Sequence, residues 1–255
     1  MNAIGVSCPD FGKEDFGQCL EKISGHFRHW EIFSEMNHSV QRISGSFHGI
    51  ADSLGMTFSV HSAIADTNAA ALNPRMREAS AMEFMSEMEA ASEMGAQTIT
   101  VHPGLINLAL SDVRKRSIAA AQETMRVLDR AQAEYGVKVA VENMPDFFAM
   151  LGRTAYELEE IVDSTDLGIC FDIGHANTMG QIDAMIETFG DRIANVHIHD
   201  NMGVKDDHMT IGTGTIDFRS IIPKLRFYKG NYIIESKTLE SAVESQEVLK
   251  KILSE

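Results

Sequence analysis

Glu93-Met94-Gly95-Ala96-Gln97-Thr98-Ile99-Thr100-Val101-His102 holds the pattern from which the fold is read. A helix-like segment ends at a glycine, an apolar run follows at once, and the run stops at a histidine. Glycine after the last helical turn takes the left-handed conformation without a Cβ clash. The run Thr98–His102 is short and apolar, as strands of a parallel sheet covered on both faces are. The same junction recurs at Ser53-Leu54-Gly55-Met56, Glu134-Tyr135-Gly136-Val137, Thr188-Phe189-Gly190-Asp191 and Tyr228-Lys229-Gly230-Asn231. Gly55, Gly95 and Gly136 follow one another at 40 and 41 residues, and Gly190 and Gly230 at 40. One helix, one strand and two loops fill that interval, so repeated βα units are expected.

Working outward, strands are expected at Ala3–Ser7, His29–Phe33, Thr57–His61, Thr98–His102, Lys138–Glu142, Leu167–Asp172, Asn195–His199 and Tyr232–Glu235. Between them lie helix starts. Asn73-Pro74 places a cap before a proline suited to the first helical position. Ser111 opens a stretch running to Tyr135, Thr154-Ala155-Tyr156-Glu157 reads as a capping box, and Thr238 opens the last helix. Eight alternating units in 255 residues predict an α/β fold, a parallel eight-stranded (β/α)8 TIM barrel forming a single domain over residues 1–255. The alternative, an open doubly wound sheet, would carry a Gly-x-Gly-x-x-Gly loop after its first strand. Ser7-Cys8-Pro9-Asp10-Phe11-Gly12 does not match, and Gly212-Thr213-Gly214 comes late, in a loop.

The chain carries 37 Asp and Glu against 22 Lys and Arg, a net charge of −15 with its ten histidines neutral. A hydrophobic content of 44% is enough for a buried core and excludes a disordered acidic tail. The charge opposes sequence-independent DNA binding, which relies on Lys and Arg at phosphates, but leaves room for a metal-assisted phosphate site. Cys8, Cys19 and Cys170 are odd in number and form no Cys-x-x-Cys pair, which predicts a reducing compartment and no disulfide framework. The first residues lack the basic-then-apolar pattern of a signal peptide, and no apolar run nears the ~20 residues that span a bilayer. A cytoplasmic protein with no membrane partner is expected.

The chemistry is carried by strand ends: Val60-His61, Val101-His102, Val141-Glu142, Phe171-Asp172 with His175 just beyond, Val196-His197-Ile198-His199, and Ile234-Glu235 with Lys237 beyond. In a TIM barrel these positions converge on the rim where active sites are built. One histidine at a strand end is more often a hydrogen-bonded structural residue than a ligand. Six successive strands ending this way are harder to assign to chance, and burying so many carboxylates and imidazoles together without cations is costly. A divalent metal site is therefore expected. His197 and His199 are two residues apart, so they share a side of their strand. Lys237 follows Glu235 at the same spacing and is read as substrate-binding. Glu31 and Glu35 line the barrel mouth or bond structurally. Arg153 is read as a solvated cation before a phosphate ligand. His26, His38 and His48 are read as surface or packing residues, Cys170 as an inert thiol, and Met76, Met82, Met85, Met88 and Met94 as core packing.

His102-Pro103-Gly104, Glu142-Asn143, Phe171-Asp172-Ile173-Gly174-His175, His197-Ile198-His199-Asp200, and Asp206-Asp207-His208 followed by Gly212-Thr213-Gly214-Thr215-Ile216-Asp217 resemble the xylose isomerase-like TIM barrel superfamily. It holds sugar isomerases and epimerases and the endonuclease IV type repair enzymes (AP endonuclease family 2). The repair pattern implies three zinc ions with ligands at His61, His102, Glu142, Asp172, His175, His197, Asp206, His208 and Glu235. The isomerase pattern implies one divalent ion, manganese or cobalt as well as zinc, on Glu142, Asp172, His197 and Glu235. It places His175 beside the substrate and makes Glu142 and Glu235 the acid/base groups. The resemblance favours His197 over His199 as the ligand, leaving His199 next to the ligands or facing substrate. The usual glutamate between the glycines is replaced here by Thr213. The leading expectation is a metal-dependent isomerase or epimerase of a sugar, sugar phosphate or related polyol. The alternative is a zinc-dependent apurinic/apyrimidinic endonuclease, whose partner would be DNA. Against it, the segment Ser62-Ala63-Ile64-Ala65-Asp66-Thr67-Asn68 lacks the aromatic residue that the repair enzymes insert into DNA. Barrels of this kind often pair through their outer helices, so a homo-oligomer is a further expectation.

Overall fold

Eight parallel strands hydrogen-bond in sequence order, and the eighth returns to the first to close a barrel. They are β1 (Ile4–Ser7), β2 (His29–Phe33), β3 (Thr57–His61), β4 (Thr98–Val101), β5 (Lys138–Glu142), β6 (Gly168–Asp172), β7 (Ile193–Ile198) and β8 (Tyr232–Glu235). The closing pair aligns Ser7 with Glu235, while Asp172 lies opposite His197 on the β6–β7 pair. This computed structural model describes residues 3–254, the side chains of residues 46 and 48–52 excepted. His48 therefore lies outside the described side chains, as do the two ends of the expected 1–255 domain.

The connecting helices are α1 (Phe16–Ser24), α2 (Val40–Leu54), α3 (Pro74–Glu93), α4 (Arg114–Tyr135), α5 (Ala155–Ile161), α6 (Ile173–Thr178), α7 (Ile182–Phe189), α8 (Phe218–Ile221) and α9 (Leu239–Ser254). Their starts follow local chemistry. Asn73 accepts from the Arg75 amide at 3.0 Å with Pro74 at the first helical position. Thr154 accepts from the Glu157 amide at 3.2 Å, but Glu157 does not complete a capping box. Its carboxylate instead takes a forked pair from Arg114 at 2.5 and 2.6 Å, which ties α5 to the start of α4. Helix α4 starts at Arg114, later than Ser111, and has no side-chain cap. Along α4, Ile118, Ala121, Met125 and Leu128 face inward, and each large apolar side chain buried this way contributes about 1.5–3 kcal/mol.

Gly55, Gly95 and Gly136 have φ of 59°, 75° and 69°, the left-handed closure expected of them. Gly190 departs from the pattern: its φ is −36° and it begins a short 3-10 turn (Gly190–Arg192) leading into β7. Gly230 is likewise outside the left-handed region. The methionines divide. Met88 and Met94 are buried and Met85 packs against the core, but Met76 and Met82 are exposed on α3. None of the described helices is long and apolar enough to cross a membrane.

The barrel interior is unusual for its polarity. A layer of branched apolar side chains is the common filling. Here Glu31, Ser59, Thr100 and Asn195, from β2, β3, β4 and β7, are all buried beneath the carboxyl rim. Asn195 Nδ2 donates to Glu31 Oε2 at 2.7 Å and to Thr100 Oγ1 at 2.9 Å, and Ser59 Oγ donates to Glu31 Oε2 at 2.7 Å. Unpaired, these groups would be expensive to bury; bonded to one another, they form a floor for what lies above.

Candidate metal centre

The strand ends deliver His61, Glu142, Asp172, His197 and Glu235 to one rim, with His102 just past β4, His175 on α6 and His199 just past β7. Asp206 and His208 come from the loop between β7 and α8. Asp200, fully buried, shapes that loop. Its carboxylate accepts from the amides of Asn201, Gly212 and Gly214 at 2.9 Å and of Ile216 at 3.2 Å.

Among the described residues, four groups of side chains converge closely enough to share a cation. They are His61–His102–Glu142, Glu142–Asp172–His197–Glu235, Glu142–Cys170–His197 and His175–His199–Asp206–His208. Glu142 is central: Oε2 lies 3.3 Å from His61 Nε2 and 3.0 Å from His102 Nε2, while Oε1 lies 3.1 Å from His197 Nδ1. His197 Nδ1 is also 3.1 Å from Glu235 Oε1. Asp172 joins two groups, with Oδ2 3.9 Å from His197 and Oδ1 3.3 Å from His199.

Ring tautomers explain what the cluster attracts. Each of several histidines is anchored through one nitrogen to an acceptor. His61 Nδ1 donates to the Ser62 carbonyl at 2.9 Å, His175 Nδ1 to the Asn143 carbonyl at 2.9 Å, and His197 Nε2 to Glu31 Oε1 at 2.6 Å. A neutral imidazole has only one N–H to give. Its second nitrogen therefore turns a lone pair toward carboxylate oxygens, and the contact is repulsive unless a proton or a metal ion lies between them. Asp172 Oδ2 and His199 Nε2 are buried and form no hydrogen bond, which marks two open ligand atoms. Carboxylate and imidazole donors on anchored rings fit a divalent cation.

The charge states agree. Burial alone favours the neutral acid at Glu142, but charge and hydrogen bonds from His197, His102 and His61 hold it well below the usual carboxylate range. Burial opposes charge on His175 as well, yet Asp172, Asp206 and Glu142 raise it well above an ordinary imidazole. His61, His197 and His199 are raised in the same way, and only the burial of His102 outweighs its carboxylate partner. Glu142, Asp172 and Asp206 are each held below the usual carboxylate range by their histidine neighbours, so the cluster attracts positive charge there.

The sequence-predicted residues His61, His102, Glu142, Asp172, His175, His197, Asp206, His208 and Glu235 are thus brought together. His199, expected beside the ligands or facing substrate, sits inside one of the candidate groups, with His175, Asp206 and His208. Lys237 does not join: it is exposed, and its carbonyl accepts from Cys8 Sγ at 3.5 Å. Arg153 pairs with Asp146 at 2.8 Å. Glu35 accepts from the Ile64 and Ala65 amides at 2.8 and 2.7 Å, a structural role. Cys170 is fully buried, with its thiol held protonated by desolvation. The residue underread from sequence is Glu31. The signal was present: Ser59, Thr100 and Asn195 each precede a rim histidine by two, so they line the same inner face one layer down. A cavity of about 610 Å³ opens at the opposite end of the barrel, among Ala3, Thr57, Thr98 and Asn231; it reaches the floor residues Ser59 and Asn195 but none of the rim carboxylates and histidines.

A closed (β/α)8 barrel with a carboxylate–imidazole cluster on its carboxyl rim is the class that fold and site define. The chain belongs to the xylose isomerase-like TIM barrel family, which matches it over residues 27–252. It is 36% identical over 260 residues to the uncharacterized protein MJ1311 of Methanocaldococcus jannaschii, covering 98% of this chain and 89% of that protein. A D-tagatose 3-epimerase-like protein of solved structure is 33% identical, with a TM-score of 0.92 over 99% of this chain and 97% of that one. A probable endonuclease 4 of Staphylococcus saprophyticus is 26% identical over 82% of this chain and 69% of its own length.

Proposed function

We propose that the chain is a divalent-metal-dependent isomerase or epimerase acting on a sugar, sugar phosphate or related polyol. The observation that carries this is the buried group Glu142–Asp172–His197–Glu235 at the barrel mouth. The near-full-length likeness to a D-tagatose 3-epimerase-like protein supports it. A bound divalent ion would supply the positive charge that polarises a carbonyl and its neighbouring hydroxyl. Glu142, Asp172, His197 and Glu235 would hold it.

The proton transfer falls to the chain's own carboxylates. Glu235 Oε1 faces His197, while its other oxygen lies 3.6 Å from His208 Nδ1, nearer the mouth. That second oxygen would take the proton from a carbon beside the substrate carbonyl. Glu142 is more enclosed, its two oxygens shared among four histidines, and would act as the second acid/base group. His175 is anchored on the Asn143 carbonyl, with its Nε2 turned toward Asp206 beside the mouth.

The test is proton exchange. Metal-loaded protein incubated with a panel of ketopentoses and ketohexoses in deuterated water should place deuterium at the carbon beside the carbonyl of at least one. No exchange from the whole panel, with metal bound, would overturn the proposal. A second reading, the abasic-site endonuclease, is favoured by His61, His102, Asp206 and His208, which four-residue metal binding does not use. Incision of an abasic-site duplex without sugar exchange would establish it in place of the first.

A further inference from the structure

His199 does more than fill space beside the ligands. The ring is fully buried, and its Nδ1 lies 3.4 Å from the Asp200 carbonyl, which takes the N–H. Nε2 is then the lone-pair nitrogen. It lies 3.3 Å from Asp206 Oδ1 and 3.3 Å from Asp172 Oδ1, and it is one of the buried polar atoms that form no hydrogen bond. Two further rings aim at the same carboxylate: His175 Nε2 is 3.3 Å and His208 Nε2 3.1 Å from Asp206 Oδ2. The His199 ring stacks on His208 with centroids 4.2 Å apart, which fixes its plane.

The backbone makes room for this ring. A Cβ on Gly174 would lie 2.1 Å from His199 Cε1 and 2.4 Å from Nε2. Ordinary contact begins near 3.4 Å, so the ring occupies the volume that any other residue at position 174 would fill. Gly174 and His199 are a matched pair.

We propose that His199 is a fourth protein ligand at the cation site that the family resemblance implies for His175, Asp206 and His208, closing it by taking the coordination position that water or phosphate would otherwise fill. Three imidazoles and one carboxylate suit a tetrahedral, zinc-like ion. A closed site holds its ion structurally, whereas a catalytic one keeps a position open. This ion would therefore brace the loop bearing Asp206 and His208 over the barrel mouth, without activating a water. Phosphodiester hydrolysis would lose the open metal position it requires. The inference shares with the proposed function only the premise that the rim binds cations.

The test uses metal-free whole protein titrated with Co(II), comparing wild type with His199→Asn and with Gly174→Ala. Wild type should give the intense visible bands of a four-coordinate ion, unchanged by inorganic phosphate. His199→Asn should bind that ion about 100-fold or more weakly, since even a group supporting a ligand is worth 10–100-fold, and its remaining cobalt spectrum should shift with phosphate. Gly174→Ala should give the same loss by displacing the ring, which separates coordination from any folding defect of the His199 variant; circular dichroism checks each fold. Equal ion counts and affinities in wild type and both variants, or an equal phosphate response in all three, would overturn the proposal. Counts and spectra are read without sugar, so this result and the deuterium-exchange result can fail independently.

Discussion

Glu31 is the residue whose removal tests the architecture beneath the rim. Three donors converge on its carboxylate: His197 Nε2 at 2.6 Å, Ser59 Oγ at 2.7 Å and Asn195 Nδ2 at 2.7 Å. In Glu31→Gln the amide oxygen can stay on His197, which turns the amide nitrogen toward Ser59 and Asn195. Ser59 can reverse its hydroxyl and accept. Asn195 Nδ2 cannot, although it keeps its bond to Thr100. One donor then faces another in the core, at a cost of about 1–3 kcal/mol in folding stability. The charge that polarises His197 is also lost. Carboxylates supporting a metal-bound histidine are worth about 10–100-fold in metal affinity, or about 1.4–2.7 kcal/mol. The assay is competition with a chromophoric chelator, with thermal unfolding alongside. Metal affinity within twofold of wild type, together with unchanged stability, would show that Glu31 does not hold His197 for an ion.

Other consequences are as direct. Glu142→Gln removes the carboxylate shared by three of the ligand groups and should abolish turnover; full activity would mean the centre is misassigned. Glu87, on α3, accepts from the Ala63 amide at 3.0 Å and from Ser62, and burial raises its carboxyl from the ordinary 4.5 to about 7. The folded state therefore holds this proton where the unfolded chain has lost it. Glu87 should thus withdraw about 3 kcal/mol of stability as pH rises from about 4.5 to 7 and none beyond. Urea unfolding at pH 4.5 and pH 8 should show Glu87→Gln gaining on wild type by about that amount; parallel pH profiles would refute it. Asp200→Ala strips the acceptor from four loop amides and should cost about 3 kcal/mol or more while loosening the loop of Asp206 and His208, read as a lower melting temperature and weaker binding of the second ion.

Strand positions were legible because buried parallel strands are continuous apolar runs bounded by glycine and polar residues. Thr57–His61 and Lys138–Glu142 begin and end as expected. The ends of the outer elements were less so. Arg114 begins α4 without a side-chain cap because Glu157 grips it from another helix, a contact between residues far apart in sequence. Gly190 was misread as a left-handed cap because a glycine before a strand also serves a 3-10 turn. Within the site, residue types at strand ends identified the side chains that converge, since the barrel carries all such positions to one rim. His199 was harder to place. Its spacing from His197 gives both residues one side of the strand, but the choice between Glu142 and Asp206 as partner depends on the loop that Asp200 folds back. Lys237 shows the limit of that spacing argument: two residues beyond Glu235 the strand has ended, and the residue is exposed.

The central claim is that cations hold this cluster together, and the most direct measurement is a crystal structure of the protein with its ions located and identified by anomalous scattering. The account predicts one divalent ion among Glu142, Asp172, His197 and Glu235, and another among His175, His199, Asp206 and His208 with no non-protein ligand. Crystals grown with zinc or manganese in excess that show no anomalous peak at either position, with the rings paired to carboxylates through protons alone, would contradict it.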